Sequence, residues 1–312
     1  MTAAQVLLAT KDLSREEWLR ARMAGIGGSD VSAIAGLNKY KSPMGVYLDK
    51  IGESPIEDIT SEAAYFGTLL EDVVAQEFTK RTGMKVRNRF AILQHPKHPY
   101  MLANVDRMIV GKKEGLECKT ASEYLKGEWE GDEVPTPYLL QIQHYMAVTG
   151  YDAWWIAVLL GGNKFIFKRI ERDEEIIEYL IKLEGDFWAN HVIKRNPPEF
   201  DGSEASSRLL QALYPQAEPK SEIQLDKSVE TLIEARDAYI EDITQLETKK
   251  KEIENQIKAQ MGENEIGHVG SRTVKWSNVT SNRIDTKTLK AEKPEIYQQY
   301  TKPSVSRRFA IQ

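Results

Sequence analysis

The sequence predicts a mixed α/β domain with a long helical, coiled-coil-like appendage, and three observations carry that prediction. From residue 67 to residue 194, helical and strand-like hydrophobic periods alternate along the chain. Residues 153–160 and 164–170 are two apolar runs of strand length. Beyond residue 219, apolar residues recur in alternating four- and three-residue steps, the seam of a coiled coil.

Taken in order, Ser14 to Met23 reads as a first helix, followed by a glycine turn and further short helices up to residue 50. Residues 51–63 are polar and loop-like, with Gly52, Pro55 and several acids. Leu70, Val74 and Phe78 lie one turn apart, so Gly67 to Arg81 is an amphipathic helix ending near Thr82-Gly83. A strand follows at about 88–94, then a β-hairpin within 100–120. Val105 to Val110 forms one arm, Gly111 to Gly115 the turn and Leu116 to Thr120 the other arm. Residues 122–137, with Trp129 and many acids, read as a loop. Pro137-Tyr138 opens a helix to Thr149, and a last core helix runs from Asp173 to Lys194 after the two strands. Asn196-Pro197-Pro198 closes the core and Tyr214 to Pro219 is a linker. The expected domains are therefore 1–214, an arm at 220–262 and a small basic region at 263–312. The arm's seam is Leu225, Val229, Leu232, Arg236, Tyr239, Ile243, Leu246, Lys250, Ile253 and Ile257. As a helix ending at Gly262 it would span about 55 Å. Residues 265–280 alternate like a small hairpin.

Bulk properties narrow the class. The chain has 312 residues, 41% of them hydrophobic, enough for one large domain and an appendage. It contains no apolar run long enough to span a bilayer and no basic-then-apolar leader, so no membrane association is expected. Cys118 is the only cysteine, which excludes an internal disulfide and suits a reducing cytoplasm. The five histidines show no zinc spacing. A net charge of −5 argues against a polycationic coat but allows a basic channel beside an acidic site.

The most informative chemistry lies on the expected hairpin. Asp106 is on one arm, and Glu117-Cys118-Lys119 on the other puts Glu117 and Lys119 on one face. Two carboxylates and a lysine at one end of a hairpin make an oxygen-rich site for Mg²⁺ with a cation beside it. Phosphodiester hydrolysis needs that combination, a metal for the extra negative charge and a lysine to position or activate water. A surface salt bridge would use the same residue types, so the neighbouring motifs carry weight. Upstream, Gly67 and Glu71 lie one turn apart on a helix; downstream, Gln141 and Tyr145 share another helix face. Further upstream, Gly27-Gly28 precedes Ser29, a good N-cap for a helix from Asp30 to Leu37. Such a helix start is a ready anion site, to which Arg22 could add a fork of donors.

The ordered set Gly-x-x-x-Glu, Asp, Glu-x-Lys and Gln-x-x-x-Tyr, across residues 67–145, resembles the PD-(D/E)xK nuclease superfamily. Within it the chain resembles the YqaJ-like viral recombinase and phage lambda exonuclease family, over roughly residues 15–200. Val105 stands where the superfamily name has proline. The resemblance implies a restriction-endonuclease-like core and a DNA exonuclease running 5′ to 3′ on linear duplex. It implies Mg²⁺, or Mn²⁺, held by Glu71, Asp106, Glu117 and the backbone carbonyl of Cys118. Lys119 would handle the nucleophilic water, and Gln141, with Tyr145 on its helix face, would orient the lysine or the scissile phosphate. Arg22 and Ser29 would hold the 5′-phosphate of the DNA end. The expected partners are double-stranded DNA ends and a single-strand annealing or recombination protein, with a homo-oligomer, a trimer in lambda-type enzymes. The implied setting is the cytoplasm of a bacterial host, with phage or prophage origin. The same residues would also serve an endonuclease, or a non-catalytic DNA-end-binding scaffold that had kept the fold.

Overall fold

The computed structural model describes residues 4–55 and 62–311, which fall into two compact units, Met1–Pro215 and Gln216–Gln312. Residues 56–61 of the expected loop lie outside the described residues.

The first unit opens with β1 (Gln5–Ala9), α1 (Arg15–Arg22), β2 (Ile26–Gly27), α2 (Gly28–Ile34) and α3 (Pro43–Ile51). Ser14 caps α1 in a reciprocal box with Glu17, whose carboxylate takes the Ser14 N–H at 2.8 Å. The motif region follows as α4 (Glu62–Thr82), β3 (Val86–Asn88), β4 (Ala91–Gln94), β5 (Met101–Ala103), β6 (Arg107–Ile109) and β7 (Glu114–Ala121). A 3₁₀ helix (Glu123–Trp129), α5 (Thr136–Thr149), β8 (Ala153–Leu160), β9 (Lys164–Glu171) and α6 (Glu174–Phe187) complete the core. A wide helical turn (Trp188–Ile193) then leads to α7 (Glu204–Leu213).

Five strands form the central sheet in the order β3-β6-β7-β8-β9. β7 and β8 pair in parallel over eight residues, and the other neighbours are antiparallel. A parallel pair needs a crossover, and α5 supplies it. One face of the sheet packs on α4 through Val74, Ala75 and Phe78. The other packs on α5 through Ile142, Met146 and Val148. With both faces covered, β8 can be the unbroken apolar run Ala-Trp-Trp-Ile-Ala-Val-Leu-Leu. Trp154 lies so close over β7 that a Cβ at Gly115 would sit 2.1 Å from its ring, so only glycine fits there. A second sheet, in the order β1-β4-β5-β2, lies at the other side of α5, whose His144 Nε2 bonds the Leu102 carbonyl at 2.8 Å.

Several expectations need correction. The strand expected at 88–94 is two strands in different sheets; within the expected 100–120 hairpin, β5 belongs to one sheet and β6 with β7 to the other, so the arm expected at 105–110 is the short β6 alone. The chain changes sheets at Arg89-Phe90 and again at 104–106. Its apolar pattern runs on unbroken because Ala91, Met101, Val105 and Met108 all feed one cluster beneath α5. The helix bearing Glu71 starts by Glu62, five residues before Gly67. The expected 122–137 loop contains a 3₁₀ helix whose Trp129 is buried. The core does not close at Pro198: α7 adds Leu209 to the cluster that includes Met44, Val46 and Phe187.

The second unit comprises α8 (Ser228–Met261), the hairpin β10 (Ile266–Val269) with β11 (Arg272–Lys275), α9 (Thr286–Glu292) and α10 (Pro294–Tyr300). The two last helices lie in what reads by sequence as a basic tail. Among the described residues, no helix is long and apolar enough to cross a membrane.

Candidate active site

Alternation along β7 builds the site. Leu116 and Cys118 turn into the cluster beneath α4, so Glu117 and Lys119 turn toward α5. Lys119 Nζ lies 2.6 Å from Glu117 Oε1. Gln141 Nε2, on α5, donates to Glu117 Oε1 at 2.7 Å and to Tyr145 Oη at 2.8 Å. Tyr145 Oη donates in turn to the Asn104 carbonyl at 3.2 Å, fixing the point where the chain changes sheets. The structure thus brings together four residues that the sequence pattern singles out. Gln141 reaches Glu117 itself, where the family resemblance had it orient the lysine or a phosphate.

Asp106 does not sit on a strand. It occupies the break before β6, and its Oδ2 accepts the Cys118 N–H at 2.9 Å, so it reaches β7 as the expected hairpin would have delivered it. Burial and the adjacent Glu117 carboxylate push Asp106 up to about 7. For Lys119 burial works downward, but Glu117 and Asp106 outweigh it and hold the ammonium above its ordinary range. Tyr145 is raised far above the usual phenol by burial and by Glu117, so it stays a neutral donor. Cys118 is buried and its thiol is pushed up by that burial, which leaves an inert packing residue.

The expected metal-ligand trio is not assembled. Among the described residues, no group of three His, Cys, Asp or Glu is gathered closely enough to hold a metal ion. Arg107 lies among these groups: it binds Glu71 Oε1 and also donates to Asp72 Oδ1 at 2.6 Å and to the Asp106 carbonyl at 2.8 Å. Glu71 is nonetheless raised, by burial first and then by Asp106, against the pull of Arg107. Glu117 Oε2 is buried without a hydrogen-bond partner. Crowded, partly unpaired hard oxygens are what a divalent cation relieves, so the donor set fits Mg²⁺.

Arg22 Nη2 donates to Ser29 Oγ at 3.0 Å, so the expected anion pair is in contact. Ser29 is not the N-cap, however. α2 starts at Gly28 with Gly27 as its cap, and Asp30 Oδ2 takes the Gly27 N–H at 3.1 Å. Asp30 is buried and would be raised by that burial. Lys50 at 2.7 Å, with Lys41 and Arg22, instead holds it well below the usual carboxylate range. Lys50 also donates to the Arg22 carbonyl at 3.1 Å, tying α3 to the end of α1. A Cβ at Gly28 would fall 2.6 Å from the Tyr145 ring. The anion loop therefore lies directly on the residues that steady Glu117.

Sequence reading missed Arg107, the Asp30–Lys50 pair and the buried His144–Glu184 pair (2.8 Å). Arg107 follows Asp106 immediately, and only its burial distinguishes it from a solvated strand arginine. Spacing along one element carries no signal for contacts between α1, α2 and α3.

A sequence model of the YqaJ-like viral recombinase domain matches residues 17–152. The chain is 47% identical to YqaJ of Bacillus subtilis (strain 168) over 310 residues, 99% of this chain and 97% of that protein. The structure is similar to an alkaline exonuclease (LHK-Exo) from Laribacter hongkongensis, with TM-score 0.49 and 21% identity over 58% of this chain and 96% of that one. A phage-related exonuclease from Haemophilus somnus 129PT aligns at TM-score 0.42 and 13% identity, over 55% of this chain and 96% of its own.

Proposed function

We infer that this chain, which belongs to the YqaJ-like viral recombinase family, is a divalent-metal-dependent DNA exonuclease that degrades one strand of a linear duplex from its 5′ end. The observation that carries the reading is the joined set of Asp106, Glu117, Lys119 and Gln141 on and beside β7. Asp106, Glu117, Glu71 and the Cys118 carbonyl would hold Mg²⁺ or Mn²⁺. When bound, the cation supplies Lewis acidity to phosphate oxygens and acidifies water. The side chains do the rest. Lys119, paired with Glu117, would position or activate the attacking water. Gln141 fixes one oxygen of Glu117 and leaves Oε2 for the ion. Arg22 and Ser29 hold the 5′-phosphate of the end. The product, a 3′ single strand, suits an annealing or strand-exchange protein as the next partner.

The test is digestion of 5′-phosphorylated linear duplex beside a covalently closed circle, with Mg²⁺, Mn²⁺, Ca²⁺ or EDTA. Mononucleotide release from the linear substrate alone, with Mg²⁺ or Mn²⁺, is expected. Cleavage of the circle would make the enzyme an endonuclease, and full activity in EDTA would remove the metal from the reading.

A further inference from the structure

α8 is thirty-four residues long, about 50 Å, and carries its apolar seam in the open. Leu232, Tyr239, Ile243, Leu246 and Ile253 are each more than half exposed. The hairpin β10–β11 meets the end of the helix, around Ile257, Gln260 and Met261, and leaves the middle of the seam uncovered. Charge divides the helix at its midpoint. Residues 228–244 carry five acids and Arg236 as the one base; residues 245–261 carry four lysines against three acids. Halves of opposite sign stay apart when two copies run parallel and meet when they run antiparallel. Among the described residues, neither Asp242 nor Lys249 has an ion pair within its own chain.

We propose that α8 docks on α8 of a second copy of this chain, antiparallel and overlapped along its whole length. Full overlap sets Ser228 of one copy level with Met261 of the other. That same register brings the two seams into layers. Ile243 meets Leu246, Leu232 meets Ile257, Arg236 meets Ile253, and Lys250 meets Tyr239, over whose ring an ammonium can lie. Each cation that interrupts the seam therefore faces an apolar or aromatic partner. The residues just before Ile243 and Lys250 flank the layers, so Asp242 faces Lys249 of the second copy, twice by symmetry. A parallel pair fares worse. It sets Arg236 against Arg236, Lys250 against Lys250 and Asp242 against Glu247, with Lys249 and Glu254 as its one attractive flanking combination. The interruptions of the seam thus select direction at some cost in strength. The contact has a two-fold axis, so it yields an even number of copies and not the trimer that the family resemblance implies. It does not depend on the nuclease reading.

The experiment uses full-length protein. Arg236→Cys and Ile253→Cys are made as single variants, oxidised alone and after co-expression under different tags; the native Cys118 is buried and stays out of the reaction. Antiparallel helices place residue 236 of one copy beside residue 253 of the other and about 25 Å from its own counterpart. The expected disulfide therefore joins the two variants to each other and neither to itself. Sedimentation equilibrium at low salt supplies a second readout. Asp242→Lys should weaken self-association about tenfold, as two attractive pairs become repulsive, and Asp242→Lys with Lys249→Asp should restore it. A parallel pair would give the opposite sign, because a lysine at 242 would then face Glu247. A disulfide of either variant with itself, no disulfide in the mixture, or unchanged or tighter association of Asp242→Lys overturns the proposal. So does a wild-type particle that is monomeric or holds an odd number of copies, a result that needs no variant to fold.

Discussion

Two helices of this chain are opposites. α5 has fourteen residues, ten of them buried, including Gln141, Gln143, His144 and Tyr145. α8 has thirty-four residues, of which only Met261 is buried among those described. The short helix has core on several sides and spends its polar side chains on fixed partners. The long one exposes a regular apolar seam, with Leu232, Tyr239, Ile243 and Leu246 all more than half exposed. A heptad seam, interrupted here at Arg236 and Lys250, leaves one apolar face for a partner, whereas a helix buried on several sides is wrapped by its fold. The proposed chemistry draws on the second kind, where burial fixes geometry and shifts charge.

The sharpest way to break that comparison is at the α5-facing side of β7. Glu117→Ala and Lys119→Ala should each reduce cleavage by roughly a thousandfold or more, the cost of losing a charged partner of the transition state. Circular dichroism and thermal melting should remain close to wild type. A correctly folded variant with normal turnover would move the active site elsewhere.

The next effect lies deeper in α5. His144 and Glu184 are both fully buried and paired at 2.8 Å. Removing one partner of such a pair costs about 3–5 kcal/mol, so His144→Gln should lower the melting temperature markedly. Burial works to lower His144, but Glu184 and the Leu102 carbonyl raise it above the ordinary imidazole. A raised folded pKa means stability that is complete below the unfolded imidazole value, about 6.5, and is lost as pH climbs through the folded one. Glu184 is raised by burial, which acts in the same direction. The gap in melting temperature between wild type and His144→Gln should therefore narrow as pH rises from 6 to 9. A gap that widens with pH would mean the pair is buried uncharged.

How much of this was legible follows from the same contrast. β8 and β9 could be read from the sequence as apolar runs of strand length, and α5 and α6 because Pro137, Gly150 and Asp173 mark their ends. The cluster proposed for chemistry was legible because Glu117/Lys119 and Gln141/Tyr145 are neighbours by strand and helix spacing alone. Strand breaks at 89–90 and 104–106 were not, because two sheets share one core and the apolar pattern does not pause where the chain changes sheet. Arg107 was hidden for a related reason. Its partners Glu71 and Asp72 lie 36 and 35 residues away, and no local rule connects them.

A smaller effect is expected at the anion loop. Arg22→Ala removes a charge-assisted contact to a terminal phosphate, about 1.5–3 kcal/mol of end binding. It should weaken binding of 5′-phosphorylated duplex by roughly ten- to a hundredfold and that of hydroxyl ends much less. Equal losses on both ends would reduce Arg22 and Ser29 to structural roles.

The smallest effect on chemistry belongs to α8. Leu232 and Leu246 are 68% and 64% exposed, so Leu232→Glu with Leu246→Glu removes no packing within the described fold. Exposed substitutions of this kind change stability by about 0.5 kcal/mol or less, and hydrolysis per molecule should be unchanged. What should change is association. Burying the seam's six or so aliphatic residues could contribute on the order of 10 kcal/mol gross, enough to hold a partner surface after the entropy of association is subtracted. Two glutamates in that seam would be desolvated on pairing, so light scattering should show a smaller particle or looser self-association than wild type. Digestion should then become less processive at the same initial rate. If the doubly substituted protein were folded but inactive, α8 would be part of the DNA path, and the contrast between a chemical helix and an associating one would fail at its weaker member.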